Sequence, residues 1–399
     1  MVLPTRRFGR TELEIPLLSL GGMRFQQSWT DLPPDEITPA SQTQVETTLK
    51  RAVDLGFHHV ETARHYGSSE RQLGWALPRT PDPSRLLQSK VPPRPDPAAF
   101  EAELELSFER LGCDRLDLLA IHGINLPEHL DQTLQPGGCM EVVRRWQADG
   151  RIGYVGFSTH GPTALIADAC ASGAFDYVNL HWYYIRQDNS PALDAARRQD
   201  MGVFIISPTD KGGHLHTPSQ RLLELCAPLH PIVFNDLFCL QDPRVHTISV
   251  GAARPEDLDL HLEALQLLPD ATALIAPVDQ RLRRAADDAL GRDWMTTWFV
   301  GLPPWHATPG DINLPVLLWL YNLLEAWDLE SYAKARYRLL GSGGHWFAGA
   351  NADAFDEEVS AQELQTVLQA SPWRERIPDI LLSLKDRLKG ASQMRLSSV

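Results

Sequence analysis

Eight short apolar runs, each followed by a helix-like stretch, constrain this chain more than any other feature. They begin near Ile15, His58, Arg85, Leu116, Ile152, Tyr177, Val203 and Thr247, about 33 residues apart on average, which suits one strand, one helix and two loops per unit. Helix signals fill the gaps. Asp96-Pro97 supplies an N-cap with proline at the first helical position, and Phe100, Leu104, Phe108 and Leu111 follow on one face. Pro162 with Gly173, and Ser190-Pro191 with Gly202, bracket two more helices, while residues Thr43 to Leu55 and Met140 to Asp149 complete the pattern. Eight strand–helix units close a sheet on itself, so the expected fold class is α/β, a (β/α)8 TIM barrel. A hairpin from Arg6 to Glu14, turning at GRTE, would plug its floor. At 399 residues the chain exceeds a barrel of about 250, which predicts an appended C-terminal all-helical domain: residues 1–290 for the barrel and 291–399 for the appendage.

In such a barrel the chemistry gathers at the C-terminal strand ends. Here those ends read Gly21-Gly22-Met23, Glu61, Lys90, His122, Ser158-Thr159, Asn179, Ser207 and Gly251-Ala252-Ala253-Arg254. The run FHHVETARHYG places Glu61 at a strand end and Tyr66 on the loop behind it, closed by Gly67. A phenol titrates near pKa ~10, so it donates a proton readily at neutral pH only where a cation stabilises its phenolate. Lys90, ending LLQSK, is the candidate cation, and His122, ending LLAIH, a candidate hydrogen-bond donor. Each residue alone has an ordinary explanation as a surface tyrosine, a solvated lysine or a core histidine; their recurrence at successive strand ends favours function. No G-x-G-x-x-G follows any of these runs, which disfavours a Rossmann dehydrogenase.

These residues carry a resemblance. ETARHYG, SERQLGWAL, SK, LLAIHG, RIGYVGFSTHGP, VNLHWYY, GVFIISPTDKGG and SVGAARPEDL resemble the aldo-keto reductases over roughly the first 290 residues. The resemblance implies hydride transfer from a nicotinamide to a carbonyl, with a tetrad of Glu61, Tyr66, Lys90 and His122 in which glutamate replaces the usual aspartate. It further implies that Ser158 and Asn179 hold the nicotinamide carboxamide, with Thr159 where asparagine is usual and Ile206 where an aromatic often stacks. Ser207 and Lys211 would meet the pyrophosphate, with Gly22, Met23, Gly251 and Ala252 completing the cofactor site. Arg254 would pair with a 2′-phosphate, since a guanidinium can hold two of its oxygens, and this favours NADP (NADPH) as cofactor. The stretch between Ile206 and Thr247 is a candidate for a loop folding over that cofactor. The expected substrate is a small aldehyde, ketone or quinone, the rival being a non-catalytic nicotinamide-binding barrel acting as a scaffold or regulatory protein.

A formal charge of −14, from 51 acidic and 37 basic residues, argues against nucleic acid or an anionic membrane surface as partner. The N-terminal MVLPTRRFGRTELEIP lacks the apolar core of a signal peptide, and LPVLLWLYNLLEAW is interrupted by Asn322 and Glu325, so a cytoplasmic location is expected. The five cysteines, from Cys113 to Cys239, read as reduced thiols. His214 and His216 form a superficial metal pair without a third ligand at a telling spacing, and no metal is expected. Beyond residue 291 the chain resembles the C-terminal ferredoxin-like unit of some aldo-keto reductases, yet TWFVGLPPWHATPG and SPWRERIPDIL stand where cluster cysteines would be. Neither His306 nor His345 makes up that deficit, so no iron–sulfur cluster is expected. Trp294, Trp298, Trp305, Trp319, Trp327, Trp346 and Trp373 are then the expected source of apolar contact.

Overall fold

The structure, a computed structural model, describes residues 3–341, 348–356 and 358–392. Strands β1 (Thr5–Arg7) and β2 (Glu14–Pro16) form the antiparallel N-terminal hairpin, with Arg6 opposite Ile15. Eight further strands follow: β3 (Leu18–Gly21), β4 (His59–Glu61), β5 (Leu86–Val91), β6 (Leu116–His122), β7 (Ile152–Ser158), β8 (Tyr177–Leu180), β9 (Gly202–Ile205) and β10 (Thr247–Gly251). They pair in parallel and in chain order, and β10 returns to β3 to close the barrel. The first barrel strand starts at Leu18 rather than near Ile15. Pro16 has no N–H for a ladder, and the Leu17 amide donates to the Pro4 carbonyl at 3.0 Å, so Ile15 stays in the hairpin.

That hairpin closes the floor of the barrel. Phe8 is fully buried and clusters with Ile15, Leu118, Ala120, Tyr177 and Phe204. Gly202 at the foot of β9 makes this possible, because a Cβ there would lie 2.6 Å from the Phe8 ring. The outer helices follow the capping signals. Asp96 accepts from the Ala98 amide at 2.9 Å to start the helix Pro97–Leu111, and Gly112 ends it in the left-handed conformation at φ 60°.

The chain divides into two compact units. The barrel unit runs to Gly212 and resumes over Asn235–Ala271; the second takes in Gly213–Phe234 and everything described from Thr272 onward. The helix Ala271–Leu290, placed with the barrel by its sequence, therefore groups almost entirely with the C-terminal helices, as does most of the stretch between Ile206 and Thr247.

The second unit is helical, with Leu314–Trp327 and Ile377–Leu388 among its principal helices. Its core is made largely of leucines, including Leu317, Leu320 and Leu324 on the first helix and Leu381, Leu384 and Leu388 on the second. Trp294 is fully buried, whereas Trp298, Trp305, Trp319, Trp327 and Trp373 are only half-buried. Leucines and the part-buried tryptophans thus share the packing of this unit. Three of the indole N–H groups find a partner within the unit. Trp294 Nε1 donates to Asn322 at 2.6 Å, Trp327 Nε1 to the Leu282 carbonyl at 3.0 Å, and Trp373 Nε1 to Thr297 at 3.0 Å. Trp346 and His345 lie outside the described residues. Among those described, no single helix is long and apolar enough to cross a membrane.

Candidate active site

Strand register brings the predicted residues to one rim of the barrel. Gly251 pairs with Gly21, Gly21 with Glu61, Lys90 with Ala120, His122 with Ser158, and Ser158 with Asn179. Glu61 and Lys90 are 3% and 1% exposed, while Tyr66 and His122 are half-buried above them. The Lys90 ammonium pairs with Glu61 Oε2 and donates to the Thr62 carbonyl at 2.8 Å. It lies 4.8 Å from the Tyr66 ring centre, and the His122 ring stands edge-on to Tyr66 at 5.8 Å. Burial works against the Lys90 charge, but Glu61 and Tyr66 outweigh it and hold its pKa above that of an ordinary lysine.

The longer carboxylate reaches two partners. Glu61 Oε1 accepts from Ser249 Oγ on β10 at 2.8 Å while Oε2 meets the lysine. Gly21 leaves the room for this, since a Cβ there would sit 2.5 Å from Ser249 Oγ and 3.1 Å from Glu61 Oε1. Ser249 lies 188 residues from its partner, a separation no local pattern marks.

The loop bearing Tyr66 is fixed from several sides. Gly67 has φ 52°, and a Cβ there would come within 1.9 Å of the Ser28 carbonyl, so only glycine fits. The Arg64 amide donates to the Lys90 carbonyl at 2.9 Å, and its guanidinium pairs with Asp31 at 2.8 Å and with Glu70. Arg110 also pairs with Asp31. Burial raises the Glu70 pKa, opposed by Arg64 and by Ser89, whose hydroxyl donates to Glu70 at 2.6 Å. Trp29 meets Tyr66 edge-on at 6.5 Å. Neither Trp29 nor the Arg64 network was singled out by the sequence, because the segment from Met23 to Thr38 has no strand or long helix to mark it.

On the neighbouring strands the candidate cofactor residues behave differently from one another. Asn179 is fully buried, and neither its amide nitrogen nor its oxygen has a hydrogen-bond partner among the described residues. Such a group requires a donor and an acceptor from elsewhere. Ser158 Oγ accepts from the Gly123 amide at 3.0 Å. Thr159 is committed to its own loop, donating to the Ile124 carbonyl at 2.7 Å and accepting from the Gly161 amide at 3.0 Å. Ile206 is buried, and Ser207 follows at φ 49°, opening the short helix Pro208–Lys211. Gly212 fits behind it because a Cβ would lie 2.0 Å from the Pro208 carbonyl. The Met23 carbonyl accepts from Gln26 at 2.6 Å; Gly22 packs against Glu61 and Ser69, where a Cβ would lie 2.8 Å from the Glu61 carbonyl. At the far side of the rim the Arg24 stem passes over Gly251, beside buried Ala252. Arg254 is largely exposed and its Nε donates to Asp257 at 3.1 Å. His214 belongs to the second unit, where Nδ1 contacts Ser331 at 3.1 Å and the ring meets Tyr332 edge-on.

A closed parallel barrel with this rim defines the class, and comparison with known proteins agrees. The model of the aldo/keto reductase family matches residues 17–226, and the chain belongs to that family. It is 21% identical over 295 residues to the uncharacterized oxidoreductase YqkF of Bacillus subtilis, covering 65% of this chain and 90% of that protein. A D-threo-aldose 1-dehydrogenase of a Pseudomonas species is 24% identical over 308 residues, covering 63% and 89% respectively. Among solved structures, an aldo-keto reductase from Bacillus halodurans in its holo form superposes with a TM-score of 0.59 at 17% identity, over 70% of this chain and 96% of that one, which shows the shared fold.

Proposed function

We propose that this family oxidoreductase reduces a small carbonyl compound with NADPH, and that Tyr66 protonates the oxygen formed. The carrying observation is the placement of Glu61, Lys90, Tyr66 and His122 together at one barrel rim. NADPH supplies the hydride when bound. The unsatisfied amide of Asn179 fits a carboxamide, which offers both a donor and an acceptor. Lys90, a buried cation kept charged by Glu61, would favour the phenolate left after Tyr66 gives up its proton. His122 would donate a hydrogen bond to the carbonyl oxygen as charge grows on it. Ser158, and to a lesser degree Thr159 with its committed hydroxyl, would flank the nicotinamide together with Ile206, Gly22 and Met23. Ser207 and Lys211 would meet the pyrophosphate, Gly251 and Ala252 would line the path to the adenosine, and Arg254 would exchange Asp257 for a 2′-phosphate.

The helical second unit reads as a module similar to a ferredoxin-like unit but without cluster ligands, in a cytoplasmic enzyme. Support comes from the cysteines, all of which precede residue 240. Consumption of NADPH against a panel of aldehydes, aldoses, ketones and quinones tests the function. Turnover of at least one carbonyl class supports it; cofactor binding without oxidation by any of them favours the scaffold reading.

A further inference from the structure

Between β7 and β9 the barrel unit holds a hydrogen-bond chain that the tetrad does not use. His160 Nδ1 lies 2.5 Å from His181 Nε2, His181 Nδ1 lies 2.7 Å from Tyr183 Oη, and Tyr183 Oη contacts the Ile206 carbonyl. The two imidazole planes differ by only 22° with centres 4.8 Å apart. His181 and Tyr183 are essentially buried, and the backbone around them is held. Asn189 donates to the His181 carbonyl at 3.0 Å, and the His160 amide donates to Asn125 at 2.6 Å.

Proton counting gives this chain one direction. A carbonyl only accepts, so the single Tyr183 hydroxyl proton points at Ile206. His181 Nδ1 must then carry the hydrogen that meets Tyr183, which leaves Nε2 of the neutral ring as an acceptor. For a neutral His181, His160 Nδ1 is then the donor. With both rings neutral, the chain runs from His160 Nδ1–H through His181 to Tyr183 and the Ile206 carbonyl.

The far end of the chain is where it bears on function. Ile206 is the last residue before Ser207, whose positive φ of 49° is unfavourable for a side chain with a Cβ. The turn is held on both sides of Ser207, by Tyr183 on the Ile206 carbonyl and by Asn235 Nδ2 on the Pro208 carbonyl at 3.1 Å. We propose that His181 and Tyr183 are positioning residues for the dinucleotide: the one-way wire from His160 holds the Ile206 carbonyl and so keeps the Ser207–Lys211 segment in its binding conformation. This rests on the reading above that Ser207 and Lys211 meet the pyrophosphate.

The test is fluorescence titration of Tyr183→Phe with NADPH and with NADH, alongside turnover at saturating cofactor. Because both dinucleotides share the pyrophosphate, both Kd values should rise by the same factor, about tenfold for a lost hydrogen bond to a buried carbonyl, with a smaller proportional loss in kcat at saturating cofactor. Nitrogen-15 NMR of histidine-labelled wild-type protein provides a second readout independent of any variant's folding, and should show His181 protonated at Nδ1 and bare at Nε2. Unchanged affinities in Tyr183→Phe, a loss confined to NADPH, or a His181 ring protonated at Nε2 overturns the proposal. Wild-type protein that binds neither dinucleotide overturns the cofactor assignment beneath it.

Discussion

Replacing Glu61 by aspartate, the usual tetrad residue of the family, should make this protein worse. Removing one methylene withdraws the carboxylate by about 1.5 Å. Glu61 bridges β4 to two strands, accepting from Ser249 on β10 at 2.8 Å and pairing with Lys90 on β5. A shorter side chain cannot keep both, and Gly21 has no side chain to fill the gap. The ion pair is the stronger attachment, so the Ser249 bond should be the one lost. A hydrogen bond to a charged group is worth about 1.5 to 3 kcal/mol, so Glu61→Asp should destabilise the barrel by about 2 kcal/mol, which lowers Tm by about 4 °C for a unit of this size. Thermal unfolding of a double-mutant cycle isolates the bond. Ser249→Ala should cost about 2 kcal/mol beside Glu61 and nearly nothing beside aspartate. Additive losses, or an aspartate variant as stable as wild type, would refute the bridging role of the longer side chain.

Arg254→Ala should weaken NADPH about 10- to 150-fold while leaving NADH nearly unchanged, because only the former has the phosphate a guanidinium clamps; equal losses by fluorescence titration move that site elsewhere. Acid should destabilise the barrel through His59, whose pKa is driven down to about 3 by burial and by the Lys90 charge. The unfolded chain takes up this proton near pH ~6.5 and the folded one only near 3, so stability is fully present above about 6.5 and falls as pH drops through that window. The slope is about 1.36 kcal/mol per pH unit for one proton, and His59→Gln should remove that share from urea-unfolding measurements; an unchanged slope contradicts the burial argument. Anaerobically prepared protein should contain no stoichiometric iron and no thiolate–cluster absorption near roughly 400 nm; a coloured, iron-bearing protein would show that cluster ligands were misread.

Most of the barrel was readable because its strands are short and buried on both faces, so they appear as apolar runs bounded by turns. The runs near His58, Arg85, Leu116, Ile152, Tyr177, Val203 and Thr247 begin within one residue of observed strands. The first did not, since Ile15 and Leu18 belong to one apolar stretch that only Pro16 divides between hairpin and barrel. The rim positions of Glu61, Lys90 and His122 were legible as strand ends, and that of Tyr66 as the loop behind Glu61. Their supports were not: Ser249, Asp31 and Arg110 act across the barrel or from other segments, and sequence spacing does not encode such contacts. The grouping of Ala271–Leu290 was hidden for a similar reason. An amphipathic helix has the same pattern whichever unit its apolar face covers.

The proton-donor role of Tyr66 is the central claim, and Tyr66→Phe tests it most directly. The substitution leaves the ring 4.8 Å from the Lys90 ammonium and removes only the hydroxyl. Single-turnover oxidation of bound NADPH by a carbonyl that the wild type reduces should slow at least ~100-fold, with NADPH affinity nearly unchanged. Wild-type-like turnover of the same carbonyl by Tyr66→Phe would contradict the mechanism.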